Sequence, residues 1–434
     1  MADHDPNLTD DDAGDAGQRR PKATLSAADA LEKVRLGITI ENVRIERLTF
    51  KGEWEKAFKF KNCHLVRPRF DGVTFKGDVE MIGCTIERPH FSGKTTFGGH
   101  WRLTGSTILS WQMTRVTVMG TCDLTSATTR GTVGISSCDF KGGIRLWEAA
   151  FHGWVNFKKC EFTAPPNGKI DLRSFVAHQG FVLAACKFNS DVELRGASVA
   201  MKCDLSGSRF EGLLDFSRAK LNDYWYLEEI EMGERCRLAF ANAIGDKLLI
   251  KPAQIDGRLQ SEDAKDYLRA MKEYAFLKSC YAEQHRYDDE DWAFHRFKVM
   301  QRRGVDRSWQ RPWTKVTQFL DWLFLDLGCG YCTNPYRAIR TALIVIVLFA
   351  TVYAVGIESF YEEGSRPPLG GDRTDLANRS LLGLMTSVSL FTSGAQGIHQ
   401  LARGWMVVPI MLEAMLGLFL WGLFIVSFSR KVIR

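Results

Sequence analysis

Six consecutive residues, Thr392, Ser393, Gly394, Ala395, Gln396 and Gly397, offer hydroxyls and backbone carbonyls without a charge among them. Oxygens of this kind, arranged in a ring, replace the hydration shell of a monovalent cation. They follow an uncharged, mostly apolar run over 381–391. Eleven residues are too few to cross a bilayer and suit a buried or re-entrant helix. The loop after them could not face lipid, because its free backbone groups need water or protein as partners. Gln396 and Gln400 could add side-chain amides to such a conduit. Downstream, Glu413 lies inside a long apolar stretch over 404–428. A carboxylate within a membrane span rarely faces lipid. It could face the back of the short helix and hydrogen-bond there, or titrate in a water-filled cavity; it reads either as a buried polar pin between subunits or as a group of the conduit itself. Gly417 and Gly422 on the same stretch offer close helix packing or a bend.

Other chemistry-bearing residues are weaker candidates. Cys329-Gly-Tyr-Cys332 is a CxxC, yet no second ligand pair or thioredoxin-like context accompanies it. His285 and His295 stand alone on helical segments, and His4 sits in an acidic tail, so no metal site is expected. No nucleophile–base pair or phosphate-binding loop stands out. The chain therefore reads as a non-enzyme without a cofactor. The eleven cysteines are odd in number and spread along 434 residues, which is not a secreted disulfide framework. Reduced, buried thiols are expected, and with them a cytosolic compartment for the large N-terminal part. The N-terminus lacks the apolar core of a signal peptide. The net charge of +6 mixes both signs, so no nucleic-acid stripe is expected.

Several elements must position these residues. Residues 1–25, rich in Asp, read as a disordered acidic tail. Over 26–256 a short β-rich run recurs, ending in a small residue or Cys with an aromatic or aliphatic residue two positions later. Cys63-His-Leu65, Cys84-Thr-Ile86, Cys138-Asp-Phe140, Cys160-Glu-Phe162, Cys186-Lys-Phe188, Ser208-Arg-Phe210 and Cys236-Arg-Leu238 all follow it. Several spacings are near ~22 residues, within the range of a solenoid. One strand spacing of rise per coil describes a parallel β-helix of about ten coils, roughly 50 Å long, and a right-handed coil is expected. The cysteines, placed at one repeat position, would form an internal ladder. Trp101, Trp111, Trp147 and Trp154 would cap coils or line a binding face.

Residues 257–312 change to a helical period and read as a helical hairpin that caps the solenoid and links it onward. Leu268, Met271, Tyr274, Ala275 and Lys278 follow one face of the first helix; Trp292, Phe294, Phe297 and Met300 mark the second. Residues 313–331, where tryptophans stand beside basic residues, read as a helix along a membrane surface. The membrane domain, 332–434, has a first span over 341–357, the short run with its loop, and a last span over 404–428. Arg337 and Arg340 before the first span, and Arg430, Lys431 and Arg434 after the last, place both ends in the cytosol. A two-span chain cannot enclose a conduit alone, so closed symmetry among copies is required.

Gly330-Tyr331-Cys332-Thr-Asn-Pro335-Tyr-Arg337 is similar to a GYGxxPxR entry sequence before a first span. A helical segment, Tyr287–Met300, stands before it, and Glu413 to Gly417 gives Glu-x-x-x-Gly in the last span. Cys203–Phe210 carries a five-residue beat, with Leu205 and Phe210 inward, that resembles degenerate pentapeptide repeats. Together these look like bacterial membrane proteins with a pentapeptide-type repeat domain and a C-terminal two-span potassium-channel-like domain. The resemblance implies a homotetrameric cation pore in the inner membrane. Its filter would be Thr392, Ser393, Gly394, Ala395 and Gln396, with Gly397 where the superfamily has Asp. The superfamily's TVGYG keeps an aromatic and a second glycine where this chain has Ala395 and Gln396, so potassium selectivity does not follow from the resemblance. The expected function is thus a cation pore regulated by a cytosolic β-helix. Its partners would be a monovalent cation such as K+, the bilayer, other copies of the chain, and a ligand or protein on the β-helix. The alternative is a non-conducting β-helix scaffold tethered to the membrane.

Overall fold

A computed structural model describes residues 23–304, 312–360, 375–393 and 404–433. It divides into two compact units, Met1–Gln260 and Ser261–Arg434. Residues 1–22 of the expected acidic tail lie outside the described residues.

The first unit opens with a helix that the repeat reading did not foresee, α1 (Ala27–Leu36). Its ends are encoded locally. Ser26 Oγ accepts the Asp29 N–H at 3.1 Å, capping the start. Gly37 at φ 75° ends it, with the Ile38 N–H donating to Lys33 O and the Gly37 N–H to Val34 O. Ala30 and Val34 turn inward.

Beyond α1 the chain is a parallel β-solenoid of about ten turns. Each coil contributes one short strand to each of four parallel sheets, of 11, 10, 10 and 9 strands. Ala23 pairs with Val43, Thr107 with Thr128 and Ala150 with Val176, so coils of 20, 21 and 26 residues stack on one face. One corner turns through a left-handed residue once per coil: Asn42, Asn62, Gly83, Gly105, Ser126, Glu148, Ser174, Gly196, Arg218 and Asn242. Most of these are not glycine. The ladders on either side hold them in a conformation that costs an L-residue about 1 kcal/mol.

Inward residues stack on their equivalents in the next coil. Phe140, Phe162, Phe188 and Phe210 form a column with centroids 5.0, 4.8 and 4.7 Å apart and nearly parallel rings. Each contact is worth roughly 0.5–1.5 kcal/mol beyond the area it buries. The cysteines are all free thiols, but they do not share one repeat position. Cys63, Cys84 and Ser106 precede strands of one face, whereas Cys138, Cys160, Cys186 and Ser208 precede strands of another. Cys122 and Cys203 lie within strands of the two remaining faces. The corner groups bond to neighbouring coils. Cys160 Sγ lies 3.6 Å from Ile135 O, and Ser208 Oγ donates to Leu183 O at 2.6 Å. Thiol and hydroxyl are interchangeable there because both are small donors facing a carbonyl. Trp101 and Trp111 are buried, while Trp147 and Trp154 are exposed. The four therefore do not form one face. The C-terminal end of the coil stack is closed by α2 (Pro252–Ile255), whose Ile255 is buried, and by Leu259, which bridges to Leu238.

The second unit begins within α3 (Gln260–Asp263) and continues into an antiparallel pair, α4 (Tyr267–Glu283) and α5 (Tyr287–Arg303). The buried face of α4 is Ala270, Glu273, Tyr274, Leu277, Cys280 and Tyr281; Leu268, expected inside, is exposed. The inward stripe is shifted because Glu273 is drawn in by Ser261, whose hydroxyl donates to its carboxylate at 2.5 Å. Arg296 ties the pair to α3 through Glu262 at 2.8 Å. Then follow α6 (Pro312–Leu320), a π-helical turn (Asp321–Leu327), α7 (Pro335–Val355), α8 (Leu376–Ser393) and α9 (Val407–Val432).

Candidate functional site

Two stretches are long and apolar enough to cross a membrane, Pro335–Val355 and Gly404–Val432. Only 17% and 28% of their most apolar windows are buried, unlike the core helices of a water-soluble protein. Between them sits α8. It is longer than the expected eleven-residue run because Asp375 accepts the Ala377 N–H at 3.4 Å and starts the helix five residues early.

The placement of α8 follows from its contacts. Its start lies by the end of α7, where Arg379 Nη2 donates to Val355 O at 3.3 Å and faces Glu358 at 3.6 Å. Midway, Gly383 fits against α7 so closely that a Cβ there would lie 2.5 Å from Ala350 O. One turn on, the buried Ser387 hydroxyl contacts Ile346 O at 2.9 Å and hydrogen-bonds to Glu413 Oε1 of α9. One turn further, Phe391 meets α9 at Gly417, where a Cβ would lie 2.7 Å from Phe391 O. Gly417 is ten residues into α9, a depth of about 15 Å at 1.5 Å per residue. The start of α9 returns to the end of α7, with Met406 against Gly356 and in one apolar cluster with Tyr353 and Phe360. So α8 enters beside the end of α7, runs down along both neighbours and stops partway along α9.

Glu413 is fully buried, and it is held as a polar pin. Ser387 serves one oxygen; the second, Oε2, has no hydrogen-bond partner. The Tyr353 hydroxyl lies close to the same carboxyl without meeting hydrogen-bond geometry. Gly417 is a close-packing site, whereas a Cβ added at Gly422 would meet nothing within 4 Å, so Gly422 serves neither neighbour. Of the residues expected to form a filter, Thr392 and Ser393 form the last turn of α8 rather than a loop, and Thr392 Oγ1 folds back to Val388 O at 2.7 Å. Gly394, Ala395, Gln396, Gly397 and Gln400 lie outside the described residues. Sequence reasoning missed Gly383 and Ser387. Their Gly-x-x-x-Ser spacing is the small-residue signal of close helix packing.

The base of the site is a polar junction around α5. Arg430, near the end of α9, pairs with Asp291 at 2.8 Å and covers the Phe294 ring at 4.6 Å. Lys431 reaches Asp288 at 3.1 Å. At the start of α7, Arg337 Nη1 lies 3.5 Å from His295 Nε2. His295 Nε2 also faces Asp326 at 3.0 Å, and Arg302 donates to Asp326 at 2.7 Å. The wider π-helical turn brings both Asp321 and Asp326 to this junction, with Tyr331 donating to Asp321 at 2.9 Å. Burial pulls His295 below its ordinary value, and the Asp326 carboxylate only partly offsets this. His295 is thus committed to a hydrogen-bond network, and His285 lies 3.3 Å from the Tyr287 hydroxyl. Among the described residues no group of three or more His, Cys, Asp or Glu could hold a metal ion.

A comparison with curated proteins finds no match. The family model of pentapeptide repeats (9 copies) matches residues 114–161. That stretch contains Phe140 of the stacked column rather than the five-residue beat at 203–210, and over it the solenoid is similar to pentapeptide-repeat proteins.

Proposed function

We propose that the chain is one subunit of a membrane pore for monovalent cations, four copies enclosing the conduit, with the β-solenoid as a cytosolic regulatory surface. One observation carries this reading: the start of α7 and the end of α9 both rest on α5, through Arg337–His295 and Arg430–Asp291. Two ends on one side require an even number of crossings. With α7 and α9 as the spans, α8 must enter and return from the same side. Its stop beside Gly417 fits that requirement. The ten residues 394–403 can reach up to about 33 Å, enough to return to Gly404. A helix ending at mid-depth also aims the negative end of its dipole at the interior, where a dehydrated cation is stabilised. Bases at the α5 end of both spans favour that end as cytosolic. With Ala395 and Gln396 in the filter, weak discrimination between K+ and Na+ is expected, with chloride excluded.

The alternative, a non-conducting tethered scaffold, draws its support from the same Ala395 and Gln396. Purified protein in planar bilayers decides between them. Unitary cation currents whose size changes with Gly394→Ala support the pore. Silence of wild type across voltages, with the protein folded and inserted, supports the scaffold.

A further inference from the structure

We propose that Cys329 and Cys332 form a reversible disulfide by exchange with a small disulfide of the glutathione class, making the turn before α7 a redox modification site. The two sulfurs stand 3.7 Å apart. The Cys332 N–H donates to Cys329 Sγ at 3.3 Å, so the turn already holds the thiols facing each other. Gly330, Tyr331 and Cys332 all have left-handed φ, of 58°, 54° and 61°. This tight reversal brings the second sulfur back over the first.

The two thiols are not equivalent. Cys329 is fully buried. Cys332 is half-buried and lines a cavity of about 600 Å³ together with Phe294, Lys298, Arg302 and Tyr331. That volume admits a small disulfide, and Lys298 and Arg302 suit its carboxylates. The hydrogen bond from Cys329 lowers Cys332 to about 6, helped by the Ser427 hydroxyl and the Arg430 guanidinium against the opposing effect of burial. Cys332 is therefore the attacking thiolate. It bonds to one sulfur of the oxidant; the oxidant's S–S bond breaks, and one thiol leaves after taking up a proton. Cys329 then loses its proton and attacks Cys332 Sγ, expelling the second thiol. Two protein thiols are oxidised and one disulfide is reduced to two thiols. Oxidation removes the negative sulfur facing Arg430, the residue that holds α9 to Asp291.

The test uses the full chain in lipid vesicles. It is incubated with oxidised glutathione, denatured, alkylated with N-ethylmaleimide, and its peptides are weighed. The wild-type peptide spanning 329–332 should escape alkylation and be lighter by two hydrogens, while Cys63, Cys122 and Cys236 are alkylated in full. Cys329→Ser should trap the glutathione adduct on Cys332 at least ~10-fold faster than Cys332→Ser traps it on Cys329. Full alkylation of both wild-type residues after oxidation overturns the proposal, as do equal trapping rates in the two variants.

Discussion

Removing the Ser387 hydroxyl tests how α8 is held. Ser387→Ala takes away only one oxygen, so little cavity results, and the cost falls on Glu413 Oε1, which loses its donor. Glu413 is completely buried and its other oxygen already lacks a partner. Leaving a buried acceptor unmade costs about 1–3 kcal/mol. Hydrogen bonds between membrane helices average about 0.6 kcal/mol and reach about 1.7. This pair belongs at the upper end, because both side chains are completely buried. We expect Ser387→Ala to cost about 1.5 kcal/mol. In a cycle with Glu413→Gln, the coupling should be about 1 kcal/mol or more. Stability is read by denaturant titration in detergent micelles, with α-helical ellipticity and Trp421 fluorescence as probes. Single mutants whose effects add to within about 0.5 kcal/mol would mean the two side chains act independently, and would refute the pin.

Three further outcomes follow from the same packing. Gly417→Ala should push Phe391 away and cost about 1–3 kcal/mol, while Gly422→Ala should stay within about 0.5 kcal/mol in the same titration. His295 is pulled below its ordinary value with Asp326, Arg337 and Arg296 around it. The unfolded chain therefore binds the proton more readily, so stability should be full above about pH 6.5 and fall as pH drops below it. His295→Gln should flatten that part of the pH–stability curve. In the solenoid, Phe162→Ala breaks the column on both sides and should cost about 3–5 kcal/mol by urea unfolding, against about 1 kcal/mol for Phe162→Leu.

The sequence exposed what repeats and concealed what meets across distance. The solenoid was legible because inward aromatics such as Phe140 and Phe162 recur at the coil spacing. The positive-φ corner was not, since its residues range from Asn42 to Glu148 to Arg218 and share only a backbone conformation. The cysteines looked like one ladder because their local context repeats, although that same context recurs at more than one corner of a coil. The helix α1 was missed although Ser26 and Gly37 mark both its ends. In the apolar C-terminal part, length and charge found both long helices and the short one between them. The Ser387–Glu413 bond was invisible because it joins residues 26 apart whose partnership depends on how α8 is angled. The π-helical turn was invisible too, because an inserted residue leaves no compositional trace before Asp321 and Asp326 are seen to converge.

The central claim is that α8 enters and returns between two spans that begin and end on one side. Reporters placed at residue 304, just after α5, and after residue 434, and a third within 361–374, read that topology in intact cells. The account predicts the first two on the cytosolic side and the third on the opposite side. Reporters at 304 and 434 on opposite sides would mean three crossings, and would contradict it.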